Sequence, residues 1–200
     1  MSRKAGSASG GELNTIFFIG PQGSGKGTQA KLLAKTLDFF YWEMGGILRE
    51  VAASDTILGI RIKQLIDSGV LLQDEDLYQV VKMRLNEIPT SKGVIFDGIP
   101  RRLGQAEFLL NFLKEQGRTN FTTLYVSLPK EESVARLLKR AELEKRADDT
   151  LEKIEFRLAQ YNKETVPVLD FLKANSNFYE IDGKPEISEI SKNIRTTLNI

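Results

Sequence analysis

The sequence Gly20-Pro-Gln-Gly-Ser-Gly-Lys-Gly-Thr28 decides the fold, because it stands between an apolar run, Thr15–Ile19, and the start of a helical pattern at residue 26. Its glycines let successive backbone N–H groups point inward, and a helix that begins there adds positive potential, so the stretch predicts a phosphate-binding loop. The Lys26 side chain is expected to reach the β- and γ-phosphates of a nucleotide, with Thr28 near the metal ion. A plain glycine turn would need neither the lysine nor this length. The predicted contacts to the nucleotide phosphates are therefore Gly23, Ser24, Gly25, Lys26, Gly27 and Thr28.

Outside this loop, the chain alternates short apolar runs with segments of helical periodicity. The runs fall at 15–19, 93–96, 122–128 and 178–181, with a weaker fifth run at 39–42. The helical segments fall at roughly 26–37, 46–67, 75–87, 104–116, 131–143, 150–173 and 187–197. Strands that are nearly all apolar and alternate with helices indicate a parallel sheet covered on both faces. The sequence thus predicts an α/β fold, a three-layer P-loop sandwich around a five-stranded parallel sheet.

The composition excludes several kinds of site. The 200 residues include no Cys and no His, so disulfides, thiolate or imidazole metal sites and a histidine general base are excluded, and no zinc is expected. With 28 Lys+Arg against 27 Asp+Glu the net charge is +1, which predicts neither nucleic acid nor a membrane surface as a partner. No stretch approaches the roughly 20 apolar residues of a membrane span. A cytoplasmic protein is therefore expected.

The N-terminal residues differ from the rest of the chain in composition. Residues 1–11 are small and polar and contain no apolar stretch of the kind found in a secretory signal. We interpret residues 1–13 as a disordered arm or a cloning remnant, and residues 14–200 as one domain. The length of this domain is usual for a single folded unit.

A second group of polar residues follows the run at 93–96. Asp97 stands at the carboxyl end of this predicted strand, at the edge where ligands collect in open α/β sheets. An acid at this edge, close to a phosphate loop, is well placed to hold Mg²⁺ together with Thr28, through water. A turn-forming Asp-Gly pair is the alternative, but it does not account for Arg101 and Gln105 at this spacing.

Together, these two stretches resemble the adenylate kinase family of nucleoside monophosphate kinases. The ending Gly25-Lys-Gly-Thr28, with Gln29 next, and the motif Asp97-Gly-Ile-Pro-Arg101, with Gln105, carry the resemblance. It continues along nearly the whole chain from Ile16. The resemblance implies reversible, Mg²⁺-dependent transfer of the γ-phosphoryl group of ATP to AMP, giving two ADP.

The resemblance also implies two small inserts. A helical NMP-binding insert is expected at about 43–72 and a lid at about 139–149, which is too short for a zinc site. The expected partners are the nucleotides ATP, AMP and ADP, and a monomer is the expected state. Because the second pKa of a phosphate is about 6, the acceptor is already largely ionised at neutral pH and needs no general base.

The same resemblance assigns roles to individual residues. The catalytic residues it implies are Lys26, Arg101, Arg140, Arg146 and Arg157. On the ATP side it adds Arg136, Arg140 and Pro185 to the loop residues. On the AMP side it implies Met44, Arg49, Val70, Leu71, Leu72, Gly98, Arg101, Gln105, Arg146 and Arg157. Arginines suit these roles because their planar guanidinium groups bind phosphate in pairs of hydrogen bonds and stay charged.

Four features depart from the family's pattern or extend it. Met44 stands where adenylate kinases usually carry a Thr near the AMP base, and Ile99 replaces the usual aromatic residue. In one interpretation, both side chains simply fill apolar space. In the other, the site is less selective for the base of the acceptor nucleotide, and Met44→Thr should then increase the affinity for AMP by about 2–10-fold. The lid segment 141–145 contains no glycine and favours helix, and Asp149 with Glu152 matches a capping box.

Two alternative functions remain open at this point. One is a UMP/CMP-type nucleoside monophosphate kinase on the same scaffold, and the other is a nucleotide-binding regulatory protein that no longer transfers phosphate. Gln105 favours AMP, because an amide offers both a donor and an acceptor to the N6/N1 edge of adenine. The set of arginines beside the phosphate loop favours transfer.

Overall fold

The computed structural model describes residues 13–67, 72–144 and 150–200, without the side chain of Glu144. Its strands are β1 Thr15–Ile19, β2 Phe40–Glu43, β3 Val94–Asp97, β4 Phe121–Ser127 and β5 Asn177–Asp182. They form one sheet in the order β2-β3-β1-β4-β5, and every pairing is parallel. The predicted five-stranded parallel sheet is confirmed, including its weaker fifth run.

Helices occupy most of the remaining described chain. They are α1 Lys26–Leu37, α2 Met44–Ala52, α3 Ile57–Asp67, α4 Asp74–Asn86, α5 Leu103–Glu115, α6 Lys130–Glu144, α7 Leu151–Gln160, α8 Val166–Asn175 and α9 Ile187–Leu198. A π-helical turn, Tyr161–Thr165, joins α7 to α8. Over the described ranges, no helix combines the length and apolarity that crossing a membrane requires.

The segment predicted as one helix over 46–67 is two helices, α2 and α3. At the end of α2 the Ser54 hydroxyl donates to the Val51 carbonyl at 2.7 Å, and at the start of α3 the Thr56 hydroxyl accepts from the Gly59 N–H at 3.0 Å. Ser and Thr hydroxyls that bond to nearby backbone groups compete with helical hydrogen bonds and favour helix ends. The apolar periodicity continues on both sides of the break, which is why the pattern alone did not reveal it.

The helix predicted over 150–173 is interrupted by the π-helical turn. In this turn the Val166 N–H donates to the Tyr161 carbonyl, five residues earlier. Pro167 follows at once, in the first turn of α8. A proline has no N–H, and in an α-helix its ring collides with the carbonyl four residues earlier. The wider turn accommodates this proline while the helical rod continues.

The start of α7 corrects the predicted capping box. Thr150 is the N-cap, and its hydroxyl accepts from the Lys153 N–H at 3.4 Å. The prediction on Asp149 and Glu152 is wrong by one residue, and Asp149 itself lies outside the described residues. Helix α6 continues into the predicted lid as far as Glu144, so 141–144 of the segment 141–145 is helical, and residue 145 lies outside the described residues.

The sheet separates two layers of apolar side chains. Successive residues of a strand point to opposite faces, and both faces of β1 are buried, with Phe17 at 0% and Phe18 at 1% exposure. The face of Phe17 packs on α4, α5 and α8, through residues that include Leu85, Leu109, Leu113 and Leu172. The face of Phe18 packs on α1 and α9, through Leu33, Ile190 and Ile194. This arrangement confirms the three predicted layers.

The register of the two central strands positions the site. In the pairing of β1 with β3, Phe18 lies opposite Asp97. Both strands therefore end at the same edge of the sheet, and the chain leaves it as the phosphate loop after Ile19 and as the turn at Gly98.

Candidate active site

The phosphate loop joins β1 to α1 at this edge. Gly23 and Gly25 have φ angles of 83° and 82°, in the left-handed region that favours glycine. At Gly23 a Cβ would also lie 3.0 Å from the Ser133 carbonyl oxygen, so a side chain there would be crowded as well as strained. Helix α1 begins at Lys26, whose ammonium group donates to the Pro21 carbonyl at 3.4 Å. The ammonium group therefore lies back over the loop, beside the N-terminus of α1.

Lys26 lies among other charged groups. Its pKa is below the ordinary value of a lysine, mainly because burial disfavours the charged ammonium. Asp97 raises this pKa, whereas Arg101 and Arg140 lower it. A phosphate bound here would favour the charged form, so the group of cations is suited to a polyanion.

Asp97 is held at the end of β3 by Tyr41 of β2. The Tyr41 hydroxyl donates to Asp97 Oδ2 at 2.9 Å, and burial together with this carboxylate raises the pKa of Tyr41, so the phenol stays protonated. The same Oδ2 would lie 2.9 Å from a Cβ at Gly27. A glycine directly after Lys26 therefore lets the carboxylate approach the turn of α1 that carries Thr28.

The Asp97 carboxylate lies beside the turn of α1 that carries Thr28, where these two residues are predicted to hold Mg²⁺. Mg²⁺ usually keeps several waters and takes one or two protein carboxylates together with substrate phosphates. Among the residues that the structure describes, no group of three or more Asp, Glu, His or Cys side chains could hold a metal. A single carboxylate beside a phosphate loop is the kind of protein ligand that a nucleotide-borne Mg²⁺ takes.

A cavity of about 390 Å³ connects the phosphate loop to the acceptor side. Its lining brings together predicted site residues from distant parts of the chain: Lys26, Met44, Leu72, Gly98, Arg101, Gln105 and Arg157. It also includes residues of the π-helical turn that the sequence did not single out: Tyr161, Glu164 and Thr165. The lysine predicted for the donor and the residues predicted for the acceptor therefore face one space.

Gln105 and Arg101 are joined by a hydrogen bond inside this lining. Gln105 Oε1 accepts from the Arg101 backbone N–H at 2.9 Å, and Gln105 Nε2 donates to Asp74 Oδ1 at 2.7 Å. Gln105 is buried, so these bonds fix the direction of its amide. One N–H and one lone pair of the amide remain for a base. No motif in the sequence indicates that Asp74, 31 positions away, is the partner of Gln105.

Two predicted residues contact other parts of the protein. Arg49 pairs with Glu43 at 3.3 Å and is 69% exposed, and its guanidinium lies on that carboxylate rather than among the described residues of the cavity lining. Arg136 donates to the Gly183 and Lys184 carbonyls, each at 2.8 Å. It therefore lies on the loop that leads to Pro185, the predicted adenine contact.

Arg140 lies outside the described cavity lining, but it is close enough to Lys26 to lower the pKa of that lysine. The predicted contacts Val70, Leu71 and Arg146 lie outside the described residues.

Met44 lines the cavity but directs its sulfur into the protein. Its Sδ accepts from the Trp42 indole N–H at 3.4 Å, and both side chains are buried. Ile99 is 1% exposed. These contacts support the interpretation that Met44 and Ile99 fill apolar space.

Comparisons with known proteins agree with this geometry. The model of the adenylate kinase family matches residues 18–177. The chain belongs to the adenylate kinase family. It is 39% identical over 185 residues to the adenylate kinase of Thermus thermophilus, which covers 92% of this chain and 97% of the relative.

Two further adenylate kinases show a similar degree of likeness. The protein of Cyanothece sp. is 38% identical over 180 residues, which covers 90% of this chain and 92% of the relative. The protein of Leptospira biflexa is 37% identical over 182 residues, which covers 91% of this chain and 98% of the relative. These matches confirm the resemblance drawn from the motifs, and they favour the adenylate kinase family over a UMP/CMP-type kinase or a regulatory protein.

Proposed function

We propose that the protein transfers the γ-phosphoryl group of Mg·ATP reversibly to AMP, giving two ADP. The cavity carries the proposal, because Lys26 of the phosphate loop lines it together with Arg101 and Gln105 of the acceptor segment. A donor phosphate held by the loop and an acceptor held by these residues would meet there without further rearrangement of the sheet. Membership in the adenylate kinase family supports the same reaction.

The chemistry requires positioning and positive charge more than covalent catalysis. In the transition state of phosphoryl transfer, negative charge is spread over the equatorial oxygens of the transferring phosphoryl group, and fixed cations stabilise this charge. Lys26, Arg101, Arg140 and Arg157 would supply these cations, with Arg146 from the lid. The acceptor phosphate is largely ionised at neutral pH, since its second pKa is about 6, so a general base is not needed.

Asp97 and Thr28 would hold the metal through water. When bound, Mg²⁺ neutralises charge on the β- and γ-phosphates. Tyr41 fixes one carboxylate oxygen of Asp97 at 2.9 Å, which leaves its other oxygen to accept from a metal-bound water. No zinc is proposed, since the chain has no Cys or His.

The two inserts would exclude water from the reacting groups. Helices α2 and α3 form the described part of the insert at about 43–72, and α6 leads into the lid at about 139–149. Closure over bound nucleotides limits hydrolysis of ATP, as in other enzymes with lids. On closure, the Arg49 guanidinium would leave the Glu43 carboxylate and bind the AMP phosphate. We further propose a cytoplasmic monomer that acts on ATP, AMP and ADP.

A coupled assay of ADP formation from Mg·ATP tests this function. AMP, CMP, UMP and GMP are supplied in turn, with Asp97→Asn as a variant that should require more Mg²⁺. AMP should be the best acceptor. Faster transfer to CMP or UMP would instead assign a pyrimidine nucleotide kinase, and nucleotide binding without transfer to any acceptor would assign a regulatory protein.

A further inference from the structure

Arg101 is held in place by side chains on both sides of its backbone. Its N–H donates to Gln105 Oε1 at 2.9 Å, and its carbonyl accepts from the Thr165 hydroxyl at 3.1 Å. Its own Nε donates to the Gly98 carbonyl at 2.9 Å. Arg101 lies between β3 and α5, outside regular secondary structure, so these bonds take the place of helical or sheet hydrogen bonds.

The π-helical turn supplies part of this support. Thr165 is 6% exposed and bonds to Arg101, while its neighbour Glu164 accepts from Arg102 Nε at 2.9 Å. Two adjacent residues of the turn therefore contact two adjacent residues of the acceptor segment. Such wide turns occur often at functional sites.

The hydrogen bond of Thr165 differs from that of a usual helical threonine. A threonine within a helix commonly donates to the carbonyl three or four residues earlier, as Thr36 does to Leu32 at 3.0 Å. The Thr165 hydroxyl instead donates to a carbonyl 64 positions away. This bond therefore does little for its own helix and directly restrains the peptide that follows Arg101.

We propose that Thr165 is a positioning residue for Arg101. Its hydroxyl holds the Arg101 peptide so that the guanidinium stands in the cavity before the acceptor phosphate arrives. Geometry that is fixed in advance lowers the cost of binding and of reaching the transition state. The inference rests on the proposed role of Arg101 at the acceptor.

Three variants test this inference: Thr165→Val, which keeps the shape and removes the hydroxyl, Thr165→Ser, which restores it, and Thr36→Val as a matched control. Loss of one neutral hydrogen bond should lower kcat/KM for AMP by about 3–10-fold in Thr165→Val. The KM for ATP should stay unchanged. Thr165→Ser should recover most of the loss, and Thr36→Val should behave like the wild type. If Thr165→Val does not fold, Thr165→Ala gives the same comparison.

Calorimetry with AMP separates positioning from general stability. Thr165→Val should weaken AMP binding in the wild-type background and have no further effect in Arg101→Ala, because the restraint then has nothing to position. Equal losses in both backgrounds, or a serine variant as poor as the valine variant, would overturn the inference. A wild type that does not phosphorylate AMP would overturn the proposed function instead, so the two failures are distinct.

Discussion

The phosphate loop and the acceptor segment 98–105 face the same cavity, yet they are held in different ways. The loop takes its shape from its own backbone, through the left-handed glycines at 23 and 25 and the start of α1. The acceptor segment depends on side chains of other elements, with Asp74 of α4 on Gln105 and Thr165 of the π-helical turn on Arg101. A substitution far along the chain should therefore disturb the acceptor more than the donor.

The largest effect is expected from Lys26→Met, which removes the one side-chain cation that the loop itself contributes. We expect kcat to fall by about 100-fold or more, as for other lost transition-state contacts, while the protein stays folded. Lys35→Met, at the exposed end of the same helix, is the control and should keep its activity. Retention of more than about a tenth of kcat would contradict the role given to Lys26.

A somewhat smaller and more selective effect is expected from Arg101→Ala. We expect kcat to fall by about 10–100-fold, because a charged contact to the transferring phosphoryl group is lost. AMP should also bind more weakly, whereas ATP binding, which depends on the loop, should change little. Calorimetry with each nucleotide checks this, and equal weakening of both would place Arg101 elsewhere in the cavity.

Asp74→Ala tests the remote support of the acceptor directly. Without this carboxylate the buried Gln105 amide keeps its bond to the Arg101 N–H but loses the acceptor of its Nε2, and Arg102 loses one of its ion pairs. We expect KM for AMP to rise about 3–10-fold, the value of one or two hydrogen bonds, with KM for ATP unchanged. Asp170→Ala removes an exposed ion pair with Lys173 and serves as the control. A matching rise in the KM for ATP would show that the two regions are not held separately.

The smallest kinetic effect is expected from Met44→Thr. The sequence left open a gain in AMP affinity, but the Met44 sulfur accepts from Trp42 in the core. We therefore expect KM for AMP to stay within about 2-fold of wild type, while the free energy of unfolding falls by about 1–3 kcal/mol for the orphaned indole N–H. Met83→Thr, at a more exposed methionine, is the control. Tighter AMP binding in Met44→Thr would support a polar contact to the base.

The contrast between the two regions also explains what the sequence could predict. The loop, the strands and Asp97 are encoded by contiguous residues, so their pattern predicted them closely. The break between α2 and α3 was missed because it depends on hydroxyl bonds of Ser54 and Thr56, within an unbroken apolar periodicity. The support of Gln105 and Arg101 was missed because the partners are 31 and 64 positions away, and one sequence does not record which distant residues touch.

The two bonds from Arg136 to the Gly183 and Lys184 carbonyls have a mechanical consequence. They fasten the middle of α6 to the loop that follows β5, one helical turn before Arg140. A swing of the whole helix would break both bonds, so we expect the pivot of any lid movement to lie beyond Arg136. Arg140 would then lie close to that pivot. A large movement of the lid would therefore displace the Arg140 guanidinium by only a small distance.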